Sequence, residues 1–272
     1  MKLEAKNLNF HSTFKPQMIY IAKLLSLANE NFSGDEKEIS NITAIPTGQS
    51  TGKVLPHLHY AKYMGIIDFE KEDGKINIRA TKLGQIIGQE DPYLLEDITR
   101  LLLHYNITDI KNGAPHWSYL FKVFNYDLDE EYSFKSIEKS FQEYFGKISL
   151  KMGVVKGSYQ DESFELIRLI EVDGDSMKFN YLYSRIDFIN MYTYTLIKSI
   201  EQYYEDINEI TIDQIINELK WNKPFGFDYE TTLLVLDEIE DRGYISINKQ
   251  LSPITVIKLI DSDDIISKIY EF

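Results

Sequence analysis

The sequence predicts a mainly α protein with small β hairpins, of the α+β class: a winged helix-turn-helix region, a helical middle and a second winged-helix-like region. Three observations predict it. Residues Ser40 to Gly88 read in order as a turn, a helix, a two-stranded wing and another helix. Between Asp91 and Phe145 the apolar residues recur at helical spacing. From Thr211 onward a helix, a break, a second helix and two β-prone runs give another helix-turn-helix pattern. The expected regions are 1–92, 93–160 and 161–272.

The first region begins with an amphipathic stretch, Met18 to Asn29, with Ile19, Ala22, Leu25 and Leu27 expected in the core. A turn follows at Ile45-Pro46-Thr47-Gly48, where proline fixes φ and glycine accepts a sharp reversal. The next helix should carry Val54, Leu58 and Ala61 on its apolar face, with Gln49, Lys53, Tyr60 and Tyr63 opposite. Pro56 requires that helix to start late, near Thr51 or Gly52, because a proline deeper inside would lose a hydrogen bond and clash. Gly65 ends it. Ile66 to Phe69 and Ile76 to Ile78 then flank Glu72-Asp73-Gly74, a hairpin signal. Thr81 is the expected N-cap of a closing helix with Leu83, Ile86 and Ile87 inward.

In the middle region the helical segments are Leu94 to Leu102, Tyr119 to Phe124 and Ile137 to Phe145. The charge run Asp127 to Glu131 matches no calcium-loop spacing and reads as a solvated loop. The last region opens with a hairpin: Leu166, Ile167, Leu169 and Ile170 on one arm, a turn at Asp173 to Ser176, and Met177 to Leu182 on the other. Thr211 should cap a helix carrying Ile212, Ile215, Ile216 and Leu219. Lys223-Pro224-Phe225-Gly226 breaks it, and Asp228 opens a helix with Leu233, Leu236 and Ile239. After Gly243, Tyr244 to Ile247 and Thr255 to Leu259 are the expected wing strands.

The N-terminal tip of the first such helix would gather Thr47, Gln49, Ser50, Thr51 and Lys53, donors that suit phosphate or base edges. With His57, Lys62 and the wing residues Lys71 and Lys75 they form the candidate double-stranded DNA surface. The net charge of −14 opposes generic phosphate binding, yet no acid occurs from Ser40 to Ile67. Tight binding calls for a homodimer or a partner that adds basic surface. The second such helix is the reverse: Asp228, Glu230, Asp237, Glu238, Glu240 and Asp241 make it anionic, so Glu238 and Asp241 are candidate partner-protein contacts.

Other chemistry is not supported. With no cysteine there is no disulfide, thiolate zinc site or cysteine nucleophile. Gly48 to Lys53 is one residue short of a phosphate-binding loop, and Val54 stands where a magnesium-binding Ser or Thr is required. His57 and His59 point to different helix faces, and His11, His104 and His116 are scattered. Asp161, Glu162, Glu165 and Arg168 lack a clear nuclease pattern. No apolar run is long enough to span a membrane, so a soluble cytoplasmic protein without catalytic residues, metal or cofactor is expected.

Several short motifs in order resemble the prokaryotic domain-of-unknown-function family 4007 (DUF4007). They are Phe10-His11-Ser12-Thr13-Phe14-Lys15-Pro16, Thr47-Gly48 through Gly52-Lys53-Val54, Tyr60-Ala61, Gly65-Ile66-Ile67 and Thr81-Lys82-Leu83-Gly84, then Asp91 to His104 and Pro224-Phe225-Gly226-Phe227. The chain departs from that pattern at Gln17-Met18 and Pro56. The family has no assigned reaction, and its genes tend to lie near phosphoadenosine-phosphosulfate (PAPS) reductase-like, DNA-phosphorothioation or phage-defence genes. The resemblance implies an accessory role in a bacterial DNA-modification or phage-defence system. Two functions are therefore expected: a non-enzymatic winged-helix DNA-binding protein, or an adaptor that docks a partner enzyme through its acidic C-terminal module.

Overall fold

Local capping chemistry sets the element boundaries in the computed structural model, which describes residues 2–48, 52–160, 163–250 and 252–271. Helix α1 (Met18–Asn29) leads to β1 (Ser33–Gly34) and α2 (Glu36–Thr43). Asp35 caps α2 by accepting from the Lys37 and Glu38 amides at 2.8 Å, and Glu38 accepts in return from the Asp35 amide at 2.7 Å. After α3 (Val54–Tyr63), Gly65 at φ 76° turns the chain into β2 (Ile67–Glu72). Asp73 and Gly74, both at positive φ, make a two-residue turn into β3 (Lys75–Ala80). Thr81 caps α4 (Lys82–Glu90), its hydroxyl accepting from the Gly84 amide at 3.0 Å. The strands form an antiparallel sheet in the order β1-β3-β2.

Helices α5 (Asp97–Ile107) and α6 (Pro115–Ser118) follow, the latter running into a π-helical turn, Tyr119–Val123. A second sheet, β4-β6-β5, combines β4 (Glu131–Ser133), β5 (Ile170–Asp173) and β6 (Ser176–Phe179), with α7 (Phe134–Phe145) and α8 (Gly153–Ser158) between β4 and β5. Then come α9 (Ile189–Tyr203), β7 (Glu209–Thr211), a helical segment ending in the π-helical turn Gln214–Glu218, and α10 (Tyr229–Asp241). Asp228 caps α10 by accepting from the Thr231 amide at 2.7 Å. The strands β8 (Ile245–Asn248) and β9 (Thr255–Lys258) join β7 in the order β7-β9-β8, before α11 (Ser262–Ile265). This is the β1-β3-β2 arrangement again, reached by the same helix, strand, helix, helix, strand, strand order.

The chain divides into two compact units, residues 2–125 with 131–178, and residues 126–130 with 179–272. The expected boundaries near 92 and 160 both lie inside the first. Its core is made of Leu24, Leu58, Ile76, Ile78, Leu102, Trp117 and Phe141, and that of the second of Leu196, Trp221, Phe225, Leu236 and Ile239. In the second unit the Trp221 indole donates to the Thr195 hydroxyl at 3.1 Å, so its polar atom is satisfied inside the core.

Three expectations are corrected. Ile19 is 63% exposed, because Ile21 and Leu24 take the inward positions of α1. Leu166 and Ile167 lie in a 3-10 turn, and the strand begins at Ile170. Tyr60, expected on the outer face of α3, is fully buried. Pro56 is accommodated because α3 starts at Val54, which puts the proline in the first turn, where its missing N–H has no intrahelical partner.

Candidate nucleic-acid interface

The tip before α3 is a closed loop. The Lys53 amide donates to the Pro46 carbonyl at 2.8 Å and the Gly52 amide to the Gly48 carbonyl at 3.0 Å, so neither N–H points outward. Thr47 is exposed. Gln49, Ser50 and Thr51, the rest of the expected donor set, lie outside the described residues.

Lys53 is drawn inward. Its ammonium donates to Gln17 Oε1 at 3.1 Å and sits 5.5 Å from the ring centres of both Phe14 and Tyr20, a cation–π arrangement that ties the charge to the chain's own N-terminal segment. His57 is a correction: it is fully buried and is not part of any surface. Its Nδ1 faces the Lys53 carbonyl at 2.7 Å and its Nε2 accepts from the Gln17 amide at 3.2 Å. Burial, only partly opposed by the Lys53 carbonyl, pushes its pKa down to about 4.

The cause is residues 7–17, which cover the outer face of α3. Phe10 packs edge-on against Tyr60 and Tyr63, with centroids 4.9 and 4.8 Å away, and the Tyr60 hydroxyl donates to the Phe14 carbonyl at 2.8 Å. Of the ten α3 residues, Lys62 alone is exposed, so the helix cannot lie along a groove and read bases over its length.

The wing is open. Ile76 and Ile78 are buried, which turns the alternate residues Lys75, Asn77 and Arg79 to the other face of β3. Arg79 lies opposite Asp68 in the ladder, and Lys75 opposite Glu72. Lys62 pairs with Asp68 at 3.4 Å and its ammonium lies 5.7 Å from the Phe69 ring centre; Lys71 pairs with Glu36 at 3.5 Å. Exposed pairs of this kind are weak and screened, so these lysines remain exchangeable contacts. An open groove of about 490 Å³ collects Lys62, Phe69, Asn77 and Arg79 together with Asp68 and Glu70. Sequence reasoning missed Arg79, although the two-residue alternation of β3 places it on the face of Lys75. A second hollow, about 250 Å³, is lined by Lys2, Lys6 and Lys111 beside Tyr63 and Glu4; its lysines are too far apart in sequence to have been grouped.

Charge separates along the chain. Residues 1–92 hold eleven basic and eleven acidic side chains, so the whole net charge of −14 arises after them. On α10, Glu230, Glu238 and Asp241 are exposed with Leu234, whereas Asp237 pairs with Lys249 at 3.0 Å and Glu240 accepts from the Ile247 amide. Among the described residues no group of three or more His, Asp or Glu is arranged to hold a metal ion, and no helix is long and apolar enough to cross a membrane.

No family model matches the chain, and no curated protein matches it. Solved structures are similar to it, among them two of SspB. A magnesium ion-bound SspB crystal structure superposes with a TM-score of 0.77 at 12% identity, covering 96% of this chain and 86% of that one. An SspB crystal structure gives 0.79, again at 12% identity, with 98% and 88% covered. At that identity the likeness is one of fold.

Proposed function

We propose that this chain is a non-enzymatic, winged-helix accessory protein of a bacterial DNA-modification or phage-defence system, acting in the cytoplasm and touching duplex DNA through the exposed Thr47 and the wing. The observation that carries this reading is the exposed hairpin with Lys71, Lys75 and Arg79, which lies in the charge-balanced stretch 1–92 of an otherwise acidic chain. The resemblance to the DUF4007 family supports the setting. With α3 covered, the contacts are to phosphates, so binding is weak, salt-dependent and insensitive to sequence.

The test is a titration of the full chain against duplex DNA, plain and phosphorothioated, at low and near-physiological salt. Binding lost in a Lys71→Glu/Lys75→Glu variant is the expected result; equal binding by parent and variant, or none at low salt, refutes the reading. A second reading, an adaptor for a partner enzyme such as a PAPS-reductase-like or phosphorothioation protein, is favoured by the exposure of Glu238 and Asp241 on α10.

A further inference from the structure

Helices α3 and α10 stand at the same place in two copies of one topology, and their registers coincide when Gly65 is matched to Gly243. Both glycines follow the helix at positive φ, 76° and 75°, and Ile67 and Ile245 open the next strand. In this register Leu58 and Ala61 match Leu236 and Ile239, and all four are fully buried. The outer positions then correspond as well: Pro56 to Leu234, Tyr60 to Glu238, Tyr63 to Asp241.

On α3 those positions have an occupant. Phe10 is lodged against Tyr60 and Tyr63, and Phe14 accepts the Tyr60 hydroxyl through its carbonyl. On α10 the matching positions face solvent, Leu234 at 62% exposure between the carboxylates of Glu230 and Glu238, with Asp241 one turn on.

We infer that the outer face of α10 is the seat of a basic, aromatic-anchored segment of a partner protein, laid across it as residues 10–17 are laid across α3. Leu234 supplies the apolar seat, and Glu230, Glu238 and Asp241 supply the charge that selects lysine and arginine. A nucleic acid would be repelled by these carboxylates. A second copy of this chain is disfavoured by its own −14 charge. The inference rests on the adaptor reading for the existence of a partner and adds to it the seat and the chemistry of the segment.

The experiment uses the full chain and a labelled synthetic peptide with two phenylalanines four residues apart, the spacing of Phe10 and Phe14, flanked by arginine and lysine; a control peptide carries glutamate at the basic positions. Fluorescence anisotropy should show binding of the basic peptide alone. Glu238→Lys/Asp241→Lys should weaken it by about tenfold or more, Leu234→Ser should also weaken it, and Lys71→Glu/Lys75→Glu should leave it unchanged. Equal affinity for both peptides, or an unchanged Kd in the double reversal, overturns the seat while leaving an adaptor role standing. Failure of the basic peptide to bind at all likewise overturns the seat. A dimer that the double reversal converts to monomer in sedimentation velocity identifies the occupant as a second copy and overturns the inference.

Discussion

The Tyr60 hydroxyl donates a 2.8 Å hydrogen bond to the carbonyl of Phe14, joining two residues 46 positions apart and fastening the N-terminal segment over α3. A neighbouring link, from the Gln17 amide to His57 Nε2, fastens the same segment one helical turn earlier. Together they turn a helix that sequence patterning assigns to the surface into an interior element.

Replacing Tyr60 by Phe keeps the ring and its contact with Phe10 but removes the donor. The Phe14 carbonyl is left without it in a half-buried setting, at a cost of about 1 kcal/mol. The loss should be local. Hydrogen exchange at residues 10–17 should accelerate more than in β3 or α5, and equal acceleration everywhere would show that the bond does not hold the segment.

Gly84 gives a sharper test of packing. A Cβ at this position would stand 1.9 Å from the Ile66 carbonyl oxygen, and backbone on both sides leaves little room to yield. Alanine gains about 1 kcal/mol of helix propensity over glycine, while forcing α4 away from the start of the wing costs about 3 kcal/mol or more, so the clash wins. Urea unfolding of Gly84→Ala should show a clear loss of stability; a neutral or stabilised variant would refute the close approach of α4 to Ile66.

What was legible in the sequence was what short-range chemistry determines. Thr81 and Asp228 cap helices as expected, Asp73-Gly74 closes the hairpin, and Gly65 and Gly243 end their helices, because each signal lies within a few residues of its effect. The strands β1, β4 and β7 were not legible: two or three residues carry no alternation to read, and each is defined by a partner strand distant in sequence. The burial of His57 and Tyr60 was hidden for the same reason. Helical periodicity assigns them a face, and only the return of residues 7–17 decides what covers it. Lys53 was read as a phosphate contact from its place at a helix start, whereas Phe14, Tyr20 and Gln17 draw it inward.

If the wing contacts phosphates, it should be measurable as a count. Each neutralised phosphate on duplex DNA contributes about −0.9 to the slope of log K against log salt, so Lys71→Glu/Lys75→Glu should flatten that slope by about 2. Sequence changes in the duplex should alter affinity far less than this, because α3 is covered. A parent slope near zero would exclude phosphate contact, and a strong preference for one duplex sequence would exclude a backbone-only mode.

Acid should unfold the first unit earlier than its carboxylates alone would require. Four of its histidines are buried, and for three of them desolvation sets the pKa: it holds His11 and His57 at about 4 and His116 at about 3, against 6.5 when solvated. The His11 and His116 rings meet edge-on with centroids 4.9 Å apart, so each also disfavours a proton on the other. The sign follows from proton counting. Below pH 6.5 the unfolded chain binds protons that the folded chain refuses, so stability is complete above that value and declines as pH falls, until His11 and His57 titrate near 4 and His116 near 3. Each histidine contributes at most about 1.4 kcal/mol per pH unit within its window. Between about pH 6.5 and about pH 5 most carboxylates remain ionised, so the decline there belongs to the histidines. Urea unfolding at about pH 7 and about pH 5 should show a fall of the order of 2 kcal/mol or more, reduced in His116→Gln relative to that variant's own value at the higher pH. Constant stability across that interval would mean that these imidazoles are protonated as readily in the folded chain as in the unfolded one.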